Sequence, residues 1–253
     1  RRCNQRPPDD CRTHDLYQAP KRLVVNVRLV VAAAGMGLRL GLEQPKALVL
    51  CGGKPLLVRT LCRFETLGLL SRAVITVPPG TEPMFESVLR NAFPGNDFVF
   101  VAGGRERQES VERALNLLDS TVEIVVIHDA ARPFVSPQSI EASIEAAREH
   151  GAATVAIPSA DTILMGGLDD MLVDTPDRSR LWACQTPQTF RVEVVRQAHR
   201  HARAQGFAAT DDATLVRRMG AAVKLVRGTP LNFKITAPDD LALAEAVIAK
   251  GLA

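Results

Sequence analysis

Aromatic side chains are scarce in this 253-residue chain: one Trp, one Tyr and nine Phe make up 4% of it. A core must therefore be assembled mainly from Ala, Val, Leu and Ile, and no interleaved basic–aromatic pattern is available for stacking nucleic-acid bases. Net charge is also slight, at +3, and there is no Lys/Arg run to follow a phosphodiester backbone. Nucleic acid is thus excluded as an expected partner. Long apolar runs are missing too. The longest, Leu23 to Ala34, is broken by Asn26 and Arg28 and falls short of the ~20 residues that a membrane span needs, so no membrane partner is expected. Cysteine is sparse. Cys3, Cys11, Cys51, Cys62 and Cys184 are odd in number and match no zinc spacing, so the expectation is free thiols in a reducing cytoplasm.

What is present is an ordinary globular balance, 46% hydrophobic and 23% charged, in a chain long enough to bury one substantial core. Residues 1–25 stand apart: many charges, three prolines and no hydrophobic periodicity over Arg1 to Lys21. They are read as a disordered extension ahead of a single domain over 26–253.

Within that domain, β-branched runs alternate with helical patterns. Strands are expected at Val27–Ala33, Ala73–Val77, Phe98–Val101, Glu123–Ile127 and Ala153–Ile157. Helices are expected at Lys54–Leu67, Arg105–Leu118 and Ser136–His150, the last opened by Ser-Pro and closed by Gly151. This alternation predicts an α/β fold, a Rossmann-like, mostly parallel twisted sheet flanked by helices. Residues 160–182 break the rhythm. Two short extended pieces, Asp161–Met165 and Met171–Asp174, around Gly166-Gly167 suit a projecting β-arm. Beyond it, helices are expected at Arg191–Gln205, Asp211–Met219 and from Pro238, with strands at Ala222–Val226 and near Phe233–Ile235.

Two motifs carry chemistry. The first strand runs into Ala33-Ala34-Gly35-Met36-Gly37-Leu38-Arg39, followed by Pro45-Lys46. Gly-x-Gly alone reads equally as a tight turn or as a phosphate cradle. Arg39 and Lys46 tip the reading toward a triphosphate site, since two fixed cations beside such a loop suit a polyanion. No Gly-Lys-Ser/Thr follows, so this is not a P-loop. The second motif, His128-Asp129-Ala130-Ala131-Arg132-Pro133, ends a central strand, where ligands of parallel sheets bind. Asp129 there is a candidate Mg²⁺ ligand; the competing reading is an Asp129–Arg132 ion pair. His128 is read as a packing or hydrogen-bonding residue and not as a base.

Ala-Ala-Gly-x-Gly-x-Arg with Pro-Lys resembles nucleotidyltransferases that join an NTP to a phosphorylated sugar or polyol. His128 to Pro133 narrows the resemblance to the 2-C-methyl-D-erythritol 4-phosphate cytidylyltransferases. Further matches follow in order: Gly103-Gly104 with Arg107 and Ser110-Val111, Asp161-Thr162, Asp177-Arg178 with Leu181-Trp182, Gln185 to Gln188 with Phe190, Thr210-Asp211, and Asn232 with Lys234 to Thr236. Phe233, Ala47-Leu48 and Arg105 depart from the family's usual residues.

The resemblance implies CMP transfer from CTP to a polyol phosphate with a divalent cation such as Mg²⁺, in a bacterial cytoplasmic homodimer. It implies catalytic roles for Arg39, Lys46 and Lys234. Nucleotide contacts fall to Ala33, Ala34, Gly35, Gly37, Gly104, Ser110 and Asp129, with Asp129 also at the metal. Arg132, Thr162, Arg178 and Thr210 become polyol-phosphate contacts, Thr162 and Arg178 through an arm crossing to the neighbouring subunit. Two rivals share these motifs: a ribitol-5-phosphate cytidylyltransferase, and a catalytically silent nucleotide-binding scaffold.

Overall fold

β-Branched runs condense into one central sheet. A computed structural model of the chain describes residues 26–252 apart from residue 42, and of Arg39 only the backbone. The expected N-terminal extension lies outside the described residues. In chain order the elements are β1 (Val27–Ala32), β2 (Leu50–Cys51), β3 (Lys54–Pro55), α1 (Leu56–Glu65), β4 (Val74–Val77), α2 (Glu82–Ala92), β5 (Val99–Ala102), α3 (Arg107–Asn116), β6 (Ile124–Asp129), α4 (Pro137–His150) and β7 (Ala152–Pro158). After them come β8 (Met165–Gly166), β9 (Leu172–Asp174), β10 (Trp182–Arg191), α5 (Val192–Ala204), α6 (Asp212–Arg218), β11 (Lys224–Arg227) and α7 (Pro238–Ala249).

Seven strands form the sheet in the order β11-β7-β10-β6-β1-β4-β5, and only β10 runs antiparallel to its neighbours. The mostly parallel α/β architecture expected from the alternation is therefore the one present. Side chains of β1 alternate between two cores, as a two-faced strand requires. Leu29 and Val31 join Leu57, Leu61, Phe64, Phe85 and Ile144 on one face, whereas Val30 joins Val111, Leu115, Val195 and Val216 on the other. Each fully buried aliphatic or Phe side chain contributes roughly 1.5–3 kcal/mol by leaving water. Helix α1 faces the first core because Leu57, Leu61 and Phe64 recur at helical spacing. Helix α4 starts where Ser136 Oγ accepts from the Ser139 N–H and ends at Gly151, whose φ of 85° suits a left-handed cap.

Two expectations are corrected, and two elements come in addition to those expected. The segment Phe233–Ile235 is not a strand; its backbone bonds outward, with Ile235 N–H donating to Ala131 O at 2.9 Å. Strand β10 was not anticipated, because its polar run Gln185-Thr186-Pro187-Gln188-Thr189 lacks apolar alternation; buried side-chain hydrogen bonds satisfy these residues instead. Helix α2 was also not anticipated, although Phe85 and Leu89 at i, i+4 give it one buried face. Finally, Cys62 is disulfide-bonded, while Cys51 and Cys184 keep free thiols.

Residues 160–184 include no buried residue. Within them β8 and β9 pair antiparallel around the expected Gly-Gly turn. Leu164, Leu168, Met171, Leu172 and Val173 on this ribbon are exposed. Among the described residues no helix is long and apolar enough to cross a membrane.

Candidate functional site

Because β1, β4, β5 and β6 are parallel, their carboxyl ends share one edge of the sheet. The loops leaving them converge there on a cleft of about 280 Å³. Ala33, Ala34, Gly35, Gly37 and Lys46 line one side, and Gly104, Ser110, Asp129 and Lys234 the other. Nine of the expected site residues are thus brought together by four separate segments of chain.

The glycine loop is shaped by its own backbone. Gly37 N–H donates to Gln44 O and Lys46 N–H to Gly35 O, both at 3.0 Å, while Met36 and Pro45 form an isolated bridge. The chain between them therefore doubles back and returns Lys46 beside Gly35. A Cβ at Gly35 would meet nothing within 4 Å, so the space above it is open to a ligand. Gly103 is small for a different reason: a Cβ there would lie 2.3 Å from the Ala34 Cβ. Its absence lets the third loop pack against the first. Ser110 Oγ then accepts from Gly104 N–H at 2.9 Å and fixes that loop.

Asp129, the last residue of β6, is the electrostatic centre. Arg107 Nε donates to Oδ1 at 3.1 Å, Lys234 Nζ reaches Oδ2 at 2.8 Å, and Arg132 Nε stands at 3.8 Å. Burial opposes ionisation of this carboxyl, yet Arg107, Lys234 and Arg132 outweigh it and hold its pKa far below the usual carboxylate range. The Asp129–Arg132 pair expected as the competing reading is the most distant of the three contacts. Both Asp129 oxygens already accept from cations, and the described residues contain no group of three His, Cys, Asp or Glu able to hold a metal. This donor set suits an anchor for positive side chains better than a metal cage.

Lys234 is pinned from both sides without a strand. Asn232 Nδ2 donates to Gln185 Oε1 (3.0 Å) and Thr186 O (2.8 Å), and Thr236 N–H donates to Asp240 Oδ2 at 2.7 Å at the start of α7. His128 is buried and linked through both ring nitrogens. Asp129 N–H donates to Thr186 Oγ1, which stands 3.0 Å from His128 Nδ1, while His128 Nε2 lies 3.1 Å from Arg132 O. A neutral ring with its proton on Nε2 satisfies both contacts. Burial accordingly pushes its pKa down to about 4. The reading of His128 as a hydrogen-bonding residue agrees with this geometry.

Arg132, Thr162, Arg178 and Thr210 are not brought into the cleft of this chain. Arg132 donates to Asn232 O at 2.7 Å and to Cys184 O at 3.4 Å. Thr162, Arg178 and Thr210 are exposed, and Arg178 Nη1 donates to Ala160 O at 3.0 Å at the root of the arm. The Arg39 side chain lies outside the described residues. Arg107, by contrast, lines the cleft although sequence reasoning gave it only a place in a motif. Its partners sit 22 and 105 residues away, a distance that no local pattern encodes.

A family model described as IspD, 2-C-methyl-D-erythritol 4-phosphate cytidylyltransferase, matches residues 27–250. A protein of that description from Caldanaerobacter subterraneus is 42% identical over 227 residues, covering 89% of this chain and all of the relative. One from Pelotomaculum thermopropionicum is 44% identical over 223 residues, covering 88% and 94%. Among solved structures, a 2-C-methyl-D-erythritol 4-phosphate cytidylyltransferase from Thermus thermophilus superposes with a TM-score of 0.74 at 37% identity, over 88% of this chain and 98% of the other. A 4-diphosphocytidyl-2C-methyl-D-erythritol synthase from Anaerococcus prevotii gives 0.77 at 28% identity over the same shares.

Proposed function

The chain belongs to the 2-C-methyl-D-erythritol 4-phosphate cytidylyltransferase family, and from that premise we propose how its cleft performs the reaction. The enzyme transfers CMP from CTP to 2-C-methyl-D-erythritol 4-phosphate in isoprenoid biosynthesis. A phosphate oxygen of the polyol phosphate bonds to the α-phosphorus of CTP, and the bond from that phosphorus to the bridging oxygen breaks, releasing pyrophosphate. The attacking oxygen is already ionised at neutral pH, so no general base is needed. A buried, neutral His128 fits that requirement.

Negative charge gathers on the α-phosphate and on the leaving group, so the protein's task is positioning and charge stabilisation. Lys46 and Lys234 flank the glycine loop and Asp129 and supply that charge, with Arg39 as the third cation. The backbone from Ala33 to Gly37, with Gly104 and Ser110, holds the nucleotide. Asp129 holds Lys234 on target. The observation that carries this reading is the single carboxylate surrounded by three cations, at the strand end facing the open space above Gly35.

Nucleotidyltransferases of this kind generally use a divalent cation, which would supply positive charge against the triphosphate, with Asp129 the carboxylate nearest to it in the cleft. Among the described residues no group of three His, Cys, Asp or Glu builds a cage for it.

Thr162 and Arg178 complete the polyol-phosphate end of a neighbouring subunit's cleft. The support is the exposed apolar side chains of the arm, together with the position of Thr162 and Arg178 outside the cleft of their own chain. The enzyme is then a cytoplasmic homodimer, with Arg132 and Thr210 at the rim of the same subsite. Pyrophosphate release with each of the four NTPs and a panel of polyol phosphates tests the reading. Rapid turnover is expected with CTP and 2-C-methyl-D-erythritol 4-phosphate alone. Equal turnover with ribitol 5-phosphate would contradict the assigned specificity.

A further inference from the structure

Behind the cleft lies a buried ionic chain that the reaction itself does not call for. Asp212 opens α6, with its neighbour Asp211 capping that helix by accepting from Thr214 N–H at 2.8 Å. The Asp212 carboxylate is buried and has two partners. Oδ2 accepts from Arg107 Nη1 at 2.6 Å, and Oδ1 accepts from His199 Nε2 on α5 at 3.0 Å. Its backbone N–H is held by Gln188 Oε1 of β10 at 2.9 Å. Neither Asp212 nor His199 lines the cleft, but Arg107 does, and its Nε holds Asp129. The third guanidinium nitrogen, Nη2, is buried without a hydrogen-bond partner.

We propose that Asp212, braced by His199, is a positioning residue that sets Arg107 so that Asp129 keeps one oxygen for Lys234. The geometry gives the reason. Arg107 divides its guanidinium between two carboxylates: Nη1 goes to Asp212 and Nε to Asp129. A planar guanidinium prefers a bidentate grip on one carboxylate when a second is not competing for it. With Asp212 neutralised, Arg107 can bring Nε and Nη2 together onto Asp129. That turns the carboxylate and draws its second oxygen away from Lys234. The ammonium would then no longer sit 2.8 Å from a fixed anchor, and a misplacement on the scale of 1 Å is enough to depress turnover. The charges of the two groups agree with a fixed relay. Burial opposes the charge of both partners, yet each stabilises the other: the Arg107 pKa is raised and the Asp212 pKa lowered.

This inference rests on the roles proposed above for Asp129 and Lys234. The experiment is a double-mutant cycle of Asp212→Asn and Arg107→Met, with Lys234→Ala run beside it. It reads kcat and KM for CTP and melting temperature, with rates normalised to folded enzyme. Asp212→Asn is expected to lower kcat roughly 10- to 100-fold with little change in KM for CTP. The same substitution should add almost nothing in the Arg107→Met background, because the relay is already cut there. An Asp212→Asn enzyme that melts lower but turns over within about twofold of the parent overturns the relay, since that is all a purely structural role would do. Equal penalties in both backgrounds overturn it too. If Asp212→Asn does not fold, His199→Gln, which leaves the Asp212–Arg107 pair in place, is read instead. A smaller fall in kcat at constant KM supports the relay, and an unchanged kcat refutes it. Lys234→Ala separates the two levels. If it keeps kcat, the role given to Lys234 fails. If it loses kcat while Asp212→Asn does not, only the relay fails.

Discussion

The cleft and the arm carry equally recognisable motifs but are built in opposite ways. In the cleft, four loops converge, Gly103 packs without a side chain against Ala34, and each oxygen of Asp129 accepts from a cation. In the arm, residues 160–184 include no buried residue, and β8 and β9 are held mainly by each other. A two-stranded ribbon of that size is marginal in water by itself, and exposed apolar side chains on it invite a partner. The cleft thus holds its cations within one chain. The arm carries Thr162 and Arg178 outside the cleft of its own chain, with the Arg178 side chain bonded to the arm's root at Ala160 O.

Substitutions in the two regions should separate accordingly. The largest effect is expected at Lys46. Lys46→Ala should lower the rate at saturating CTP by at least ~10²-fold, the range for one preorganised electrostatic partner, with far less change in apparent CTP affinity. Lys46→Arg should rescue poorly, because a planar guanidinium places its charge differently. An Ala variant that reaches full rate at higher CTP would make Lys46 a binding residue. In the arm the balance should reverse. Arg178→Ala should raise KM for the polyol phosphate by about tenfold, through loss of a charge-assisted contact, and leave CTP binding intact. Initial-rate kinetics with each substrate varied would sharpen the contrast. Equal effects on both substrates would erase it.

A smaller effect is expected from His128, which is buried and does not line the cleft. Its pKa lies near 4 when folded, against about 6.5 when unfolded, because burial disfavours the charged ring. The unfolded chain therefore binds the proton first. Stability linked to this group is complete above pH 6.5 and is lost as pH falls through 4, by on the order of 3 kcal/mol. The buried carboxylates Asp129 and Asp212 have depressed pKa values, so stability linked to them is also lost toward acid, at lower pH. His128→Gln should be less stable than the parent at neutral pH, with the gap narrowing between pH 6.5 and 4. Denaturant titrations across that range check it, and a constant gap would remove His128 from the acid response.

How far the sequence could be read follows the same division between local and distant causes. The parallel strands were legible because both faces are covered, which leaves near-continuous runs of Val and Ile. The glycine loop and Lys46 were legible because turn chemistry is local. β10 was hidden because its buried Gln and Thr residues are satisfied by partners on other elements and so carry no apolar period. Lys234 lines the cleft, as expected, but not on the expected strand. It stands on a segment pinned by Asn232 and Thr236, where a strand was expected. The Arg107–Asp212–His199 chain was invisible, since it joins side chains of three helices, with Arg107 standing 105 residues from Asp212.

Complementation between two impaired enzymes tests most directly whether the arm completes a neighbour's cleft. Lys46→Ala and Arg178→Ala subunits would be mixed one to one, subunit exchange verified by mass, and activity measured at low polyol phosphate. If the arm crosses, each mixed dimer carries one site with both changes and one with neither. Random mixing should then recover about a quarter of the parental rate. If the arm serves its own chain, every site in the mixed dimer keeps one lesion. Activity no higher than the average of the two parents, after verified exchange, would contradict the account.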